Sequence, residues 1–222
     1  MMIKGIVCFG DSIIAGTGAS DRQKCCAKLV KHSLNVPVAL KGKNRDTSEM
    51  GLRRIFEDVL THDDHSHVVI LIGNNDCWFN SDGKPYINLQ DFQSNLTEIV
   101  RQVRKNGQMP LLCNLQPIDN TKFFSSFPIQ KLICEKTNIN PFLWQQTYSN
   151  AIQSLSGQMG VVLIDIRGKL GSQVKQYIGN DGLHPNDKGH AIIANEIILT
   201  LHHLDNSLQI FSKTPVIHEA LA

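Results

Sequence analysis

Val68-Val69-Ile70-Leu71-Ile72 places five branched apolar residues in a row, with no polar residue between them. A strand with one wet face alternates polar and apolar positions. A run this even predicts a strand covered on both faces, as in a parallel sheet between two helical layers. Outward from it the chain alternates. Strands are predicted at Ile3–Phe9, Val36–Leu40 (broken at Gly42), Met109–Leu115 and Val161–Ile164. Helical spacing runs through Asp21–Leu34, Thr47–Leu60, Asn88–Lys105 and Pro141–Leu155. In Asn88–Lys105 the residues Leu89, Phe92, Leu96, Ile99, Val100 and Val103 share one stripe. A last helix starts behind Pro185 with Asn186 as its N-cap, and Ala191, Ile192, Ala194, Ile197, Ile198 and Leu201 form its inner face. Strict strand–helix alternation predicts an α/β fold with a parallel sheet and right-handed crossovers. Asp119–Asn140 departs from the alternation as a long connection after the fourth strand, and Asn206–Ala222 reads as a loosely ordered tail. The expected organisation is one domain over 1–204 and a C-terminal tail over 205–222.

With 222 residues, 41% hydrophobic and 19% charged, the chain can bury a core without a disulfide or metal staple. Disorder and coiled coil are excluded. A net charge of +2, from 22 basic and 20 acidic residues, leaves no broad footprint for nucleic acid. No apolar run reaches the roughly 18 residues of a membrane span. The six cysteines form no C-x-x-C pair, and the start MMIKGIVCFGDS lacks the marks of a signal peptide. Reduced thiols and a cytoplasmic location are the expectation, although a secreted chain without its leader fits the same residues.

Ligands of such sheets bind beyond the carboxyl ends of the strands. The first strand ends in Phe9-Gly10-Asp11-Ser12, the third in Gly73-Asn74-Asn75-Asp76, and Asp181-Gly182-Leu183-His184-Pro185 follows the fifth. A serine, a carboxamide and an Asp/His pair therefore meet at one edge. Those types suit acyl transfer. A serine hydroxyl becomes nucleophilic when an imidazole takes its proton, and a carboxylate fixes the imidazole's tautomer. A carboxamide and backbone N–H groups can hold the oxyanion.

The three segments together, in this order and separation, resemble the GDSL/SGNH hydrolase family over positions 3 to 204. The resemblance implies a flavodoxin-like three-layer α/β/α sandwich with a five-stranded parallel sheet of order 2-1-3-4-5. It implies a serine esterase, lipase or acylhydrolase acting on a small-molecule ester, without a metal or organic cofactor. Ser12 would be the nucleophile, His184 the base and Asp181 its partner, with Asn75 and the N–H of Ser12 lining the oxyanion hole. The family's second block carries a glycine as third oxyanion donor. Here Lys43-Asn44-Arg45-Asp46-Thr47-Ser48 resembles that block, with Arg45 in the glycine's place. Arg45 is the preferred donor; Gly51 is the alternative.

Other segments have two readings. Trp78 and Phe79 either wall a substrate pocket or pack the core. Phe123, Phe124, Phe127, Phe142 and Trp144 form either an apolar lid or a cluster pinning the long connection. Asp11 and Asp76 are expected to hold their loops, and Cys8 and Cys113 to pack inertly. His62-Asp63-Asp64-His65-Ser66-His67 reads as a solvated loop rather than a metal site. Gly16-Thr17-Gly18-Ala19-Ser20 lacks the Gly-Lys-Ser/Thr ending of a phosphate loop. A thioesterase or a carbohydrate acetylesterase would use the same residues. A catalytically weak binding protein on this fold is the non-enzyme alternative. The sequence leaves the oligomeric state open.

Overall fold

The computed structural model describes residues 3–171 and 173–205. Five strands, β1 (Ile6–Gly10), β2 (Val38–Gly42), β3 (His67–Leu71), β4 (Met109–Cys113) and β5 (Val162–Ile164), form one sheet of order β2-β1-β3-β4-β5. Every pairing is parallel, with Gly10 beside Gly42 on one side and Leu71 on the other. The helices are α1 (Ser12–Ala15), α2 (Cys26–Ser33), α3 (Ser48–Ile55), α4 (Leu89–Lys105), α5 (Asn120–Ser126), α6 (Pro128–Thr137), α7 (Pro141–Met159), α8 (Ile166–Gly171), α9 (Val174–Tyr177) and α10 (Asp187–Leu204). The expected sheet and its order are present.

The unbroken apolar run has the expected cause. Val69 and Leu71 enter one core layer, against residues of α2 and α10 such as Val30 and Ile197. Val68, Ile70 and Ile72 enter the other, against α4 and α7 through Phe92, Leu96 and Tyr148. Alternate residues thus face opposite apolar layers. Asn88 caps α4 by accepting from Asp91 N–H, and Asn186 caps α10 by accepting from Gly189 N–H.

Several boundaries differ from the sequence reading. Asp21–Leu34 splits into a 3-10 turn (Arg22–Lys24) and α2, because Cys25 is extended and docks where Gly16 has no side chain. Thr47–Leu60 ends as a helix at Ile55 and continues as a π turn, Phe56–Leu60. On α10 the buried face includes His190 and Ile193, whereas Ile192 and Ile198 are partly buried. The Asp119–Asn140 connection is two helices, α5 and α6. Asp119 caps the first by accepting from Thr121 and Lys122 N–H, and Pro128 opens the second. Their apolar stripes are short because only Phe123, Ile133 and Cys134 are buried apolar positions. The tail expected at 205–222 lies outside the described residues apart from Asp205, which is buried.

Candidate active site

Ser12 opens α1 directly after β1, so its N–H has no partner within the helix. Asp11 caps this helix by accepting from Ile13 N–H at 3.0 Å. The following turn packs tightly against the Asp/His segment. A side chain on Gly18, whose φ is +97°, would strike the Pro185 carbonyl oxygen. His190 ties the same turn to α10, donating from Nε2 to the Thr17 carbonyl at 3.1 Å and accepting from Cys26 N–H at 3.3 Å.

The Asp181–His184 turn is self-organised. Asp181 Oδ1 accepts from both Leu183 N–H and His184 N–H at 2.9 Å. Its Oδ2 lies 2.6 Å from His184 Nδ1. A carboxylate at that distance requires the proton on Nδ1, which leaves Nε2 as an acceptor. Ser12 Oγ sits 2.9 Å from Nε2 and donates to it. Burial pushes the Asp181 carboxyl up, but the hydrogen bonds from His184 and Leu183 outweigh it and hold the group below its ordinary value. Ser12 is buried to 8% exposure yet lines the cleft, so its hydroxyl is reachable.

Asn75 also faces this cleft. One of its Nδ2–H groups donates to the Asp46 carbonyl at 2.9 Å, which aims the amide and leaves the second N–H free to turn to a ligand. Asp46 is itself held, since its carboxylate accepts from Arg54 Nε. Arg54 also donates to the carbonyls of Gly10 at 2.9 Å and Lys41 at 3.1 Å. Arg54 thereby ties the end of β1 to the Arg45–Asp46 turn. Arg45 has φ +67°, the left-handed backbone that glycine adopts freely and other residues adopt at a cost of about 1–2 kcal/mol. Among the described residues no acceptor meets its N–H. Gly51, the alternative donor, lies within α3, and its N–H is bound to the Thr47 carbonyl at 2.9 Å. Its missing side chain serves packing instead: a Cβ there would press on Ile72 and Phe9.

The cleft, of about 580 Å³, has lining residues of two kinds. Trp78, Tyr86, Phe127 and Leu183 give apolar surface; Thr17, Asn44 and Arg45 give polar surface around Ser12, Asn75 and His184. Trp78 therefore lines the cleft that holds Ser12, and Phe79 does not. Phe79 is buried against Ile133 and Cys134, stacks on Trp144 at 5.5 Å and exchanges two hydrogen bonds with Gln130. Phe123 and Phe127 both meet Trp78 edge-on, at 5.7 and 4.8 Å. The aromatic cluster thus pins α5 beside the cleft.

Beneath the site lies a buried polar network that the sequence reading missed. Asn74 donates to Asp11 at 3.2 Å and accepts from Gln116 at 3.1 Å and Gln145 at 2.9 Å. Gln116 also donates to the Leu183 carbonyl at 3.1 Å. The network thus joins the loops after β1, β3 and β4 to the His184 turn. Gln116 stands just past the carboxyl end of β4, so the rule that singled out Ser12 and Asn75 points to it as well. Asp11 and Asp76 hold loops, as expected. Burial raises Asp11 to about 6 and Asp76, which accepts from Ser48 N–H and Oγ, to about 7. Cys8 is buried, and burial lifts its thiol to about 12; Cys113 is also buried and its thiol raised. At the opposite edge, ligand atoms of His62, Asp64 and His65 lie within 4.8 Å of one another. The solvated-loop reading holds for Asp63 and Asp64, which are exposed, but not for His65, which is buried, nor for His67, which is buried as the first residue of β3.

His190 gives the site a pH-sensitive support. Burial lowers its ring to about 4 from an ordinary 6.5. Between those values the unfolded chain binds the extra proton, so the contribution of His190 to stability is whole above pH 6.5 and is lost as pH falls toward 4. Acid from pH 7 to 4 is expected to cost the wild type about 3 kcal/mol more than His190→Gln. Denaturant titrations of both proteins check this. Asp11 and Asp76 shift in the opposite sense but cancel in the difference; parallel pH profiles would remove His190 from the account.

A 2-1-3-4-5 parallel sheet with a hydrogen-bonded Ser, His and Asp at its carboxyl edge defines the GDSL/SGNH class of α/β hydrolase folds. The chain belongs to the GDSL-like lipase/acylhydrolase family, whose model matches residues 8–192. It is 26% identical over 205 residues to an uncharacterized lipoprotein, YqeF, of Bacillus subtilis (strain 168), covering 87% of this chain and 79% of that one. A lipase/acylhydrolase from Enterococcus faecalis superposes with a TM-score of 0.73 at 21% identity, over 95% of this chain and 99% of its own. A variant of an acetyl-xylooligosaccharide esterase from Geobacillus Stearmophilus gives 0.66 at 17%, over 88% and 93%. At these identities the solved structures show the fold; family membership supports hydrolase activity on esters. No helix among the described residues is long and apolar enough to cross a membrane.

Proposed function

We propose that the protein hydrolyses carboxylic esters through an acyl-enzyme formed on Ser12. The observation that carries this reading is the continuous hydrogen-bonded chain Ser12 Oγ–His184 Nε2, His184 Nδ1–Asp181 Oδ2. His184 takes the Ser12 proton as Oγ attacks the ester carbonyl. Asp181 keeps the ring in the accepting tautomer and stabilises the imidazolium. The oxyanion is held by Asn75 and the N–H groups of Ser12 and Arg45. The C–O bond to the alcohol then breaks, and His184 returns its proton to the leaving oxygen. Water, deprotonated by His184, cleaves the acyl-enzyme and restores Ser12. No metal or organic cofactor takes part in this reading.

The substrate panel that tests the reading holds p-nitrophenyl esters of increasing chain length, an acyl-CoA and an acetylated sugar. Turnover of the simple esters supports it, and no turnover of any member overturns it. Preference for the acyl-CoA or the sugar would select the thioesterase or acetylesterase form of the same chemistry. Asn75→Ala is expected to lower kcat by about 10²–10³, roughly 3–4 kcal/mol, with KM little changed, because the lost donor acts on charge that develops in the transition state. An effect confined to KM would make Asn75 a ground-state binding residue. A cytoplasmic location belongs to the same proposal, supported by six cysteines that are all free thiols; cell fractionation tests it.

A further inference from the structure

We infer that the ester taken by this cleft carries a negatively charged group, a carboxylate or a phosphate, that pairs with Arg45 while the carbonyl rests on Ser12. The inference rests on the hydrolytic reading above. Among the described residues that line the cleft, Arg45 is the one with a permanent charge, and none carries a carboxylate. Among the described residues it forms no ion pair. The acids nearby are already engaged: Asp46 by Arg54, Asp181 by His184. Lys43, exposed two residues earlier, adds charge of the same sign.

The backbone sharpens the point. Position 45 is left-handed, which glycine would adopt without strain. The N–H alone would be supplied equally by glycine. What arginine adds is a guanidinium, a planar fork suited to two oxygens of a carboxylate or phosphate. The cleft's apolar residues, Trp78, Tyr86, Phe127 and Leu183, offer surface to the hydrocarbon part. The lining therefore matches an amphipathic anionic ester better than a neutral one.

The test compares matched esters on one protein. 4-Acetoxybenzoate and 4-acetoxyphenyl phosphate carry the anion on the alcohol and are set against phenyl acetate. Mono-p-nitrophenyl succinate carries it on the acyl group and is set against p-nitrophenyl butyrate. Each kcat/KM is divided by the rate of hydroxide hydrolysis to remove intrinsic reactivity. The wild type is expected to favour at least one anionic ester by about tenfold, mainly through KM, as a charge-assisted contact of ordinary strength would give. Raised salt should erode the preference. Arg45→Lys should keep most of it and Arg45→Gln should abolish it. Because the readout is a ratio on a single protein, any change at the residue 45 N–H cancels. A ratio near one for all three anionic esters, or a preference that survives Arg45→Gln, overturns the inference while neutral-ester turnover leaves the hydrolytic reading standing. No turnover of any ester, with Ser12 unreactive toward a fluorophosphonate, would remove the reading and the inference together.

Discussion

Ser12→Ala is expected to lower kcat on a simple p-nitrophenyl ester by at least about a thousandfold, with KM little changed and the fold intact. The size follows from the route. Without Oγ no acyl-enzyme forms, and the residual rate comes from oxyanion donors acting on attacking water. The fold should survive because α1 is capped by Asp11, and the Ser12 backbone carbonyl still accepts from Gly16 and Thr17 N–H. His184 keeps its place through Asp181. Steady-state kinetics beside a thermal melt separate the two effects. A variant that melts like the wild type and retains its rate would put the chemistry elsewhere.

The second large effect is expected from Asp181→Asn, a loss of about 10³–10⁴ in kcat. The backbone dictates which way the new amide points. Leu183 and His184 N–H both donate to the oxygen at Oδ1, so the amide oxygen stays there and the NH₂ group replaces Oδ2. That group donates to Nδ1 and moves the ring proton to Nε2, where it blocks acceptance from Ser12. The geometry survives while the tautomer is wrong. The measurement is kcat for Asp181→Asn beside NMR of the imidazole nitrogens. A near-normal rate, or a ring still protonated at Nδ1, would show that the carboxylate does not set the tautomer.

These expectations rest on residues that were readable at different depths. The sheet was legible because Val68–Ile72 lacks alternation, a direct trace of two apolar layers. Ser12, Asn75, Asp181 and His184 were legible because their segments follow strand ends in a parallel sheet, whose carboxyl edge gathers distant loops. Gln116 also follows a strand end, but a lone glutamine carries no reactive type to mark it; its role emerges only from side-chain hydrogen bonds to two partners distant in sequence, Asn74 and Leu183. Phe79 and Trp78 are neighbours of similar chemistry; packing against α6 and Trp144 takes Phe79 away from the cleft, which Trp78 lines. Helices α5 and α6 were missed because each buries few apolar residues, although Asp119 and Pro128 were the start signals. For Arg45 the sequence posed a question, whether a non-glycine residue can adopt the backbone expected of a glycine there, and its φ of +67° shows that it does; the oxyanion role of its N–H remains part of the proposal.

The central claim is that His184 makes the Ser12 oxygen a nucleophile. Its most direct test is reaction with a fluorophosphonate, followed by intact mass and peptide mapping of the adduct, for the wild type and for His184→Ala. One adduct per chain, on Ser12 and lost in His184→Ala, is the result predicted. A folded wild-type protein that stays unmodified, or that is modified at another residue, would contradict it.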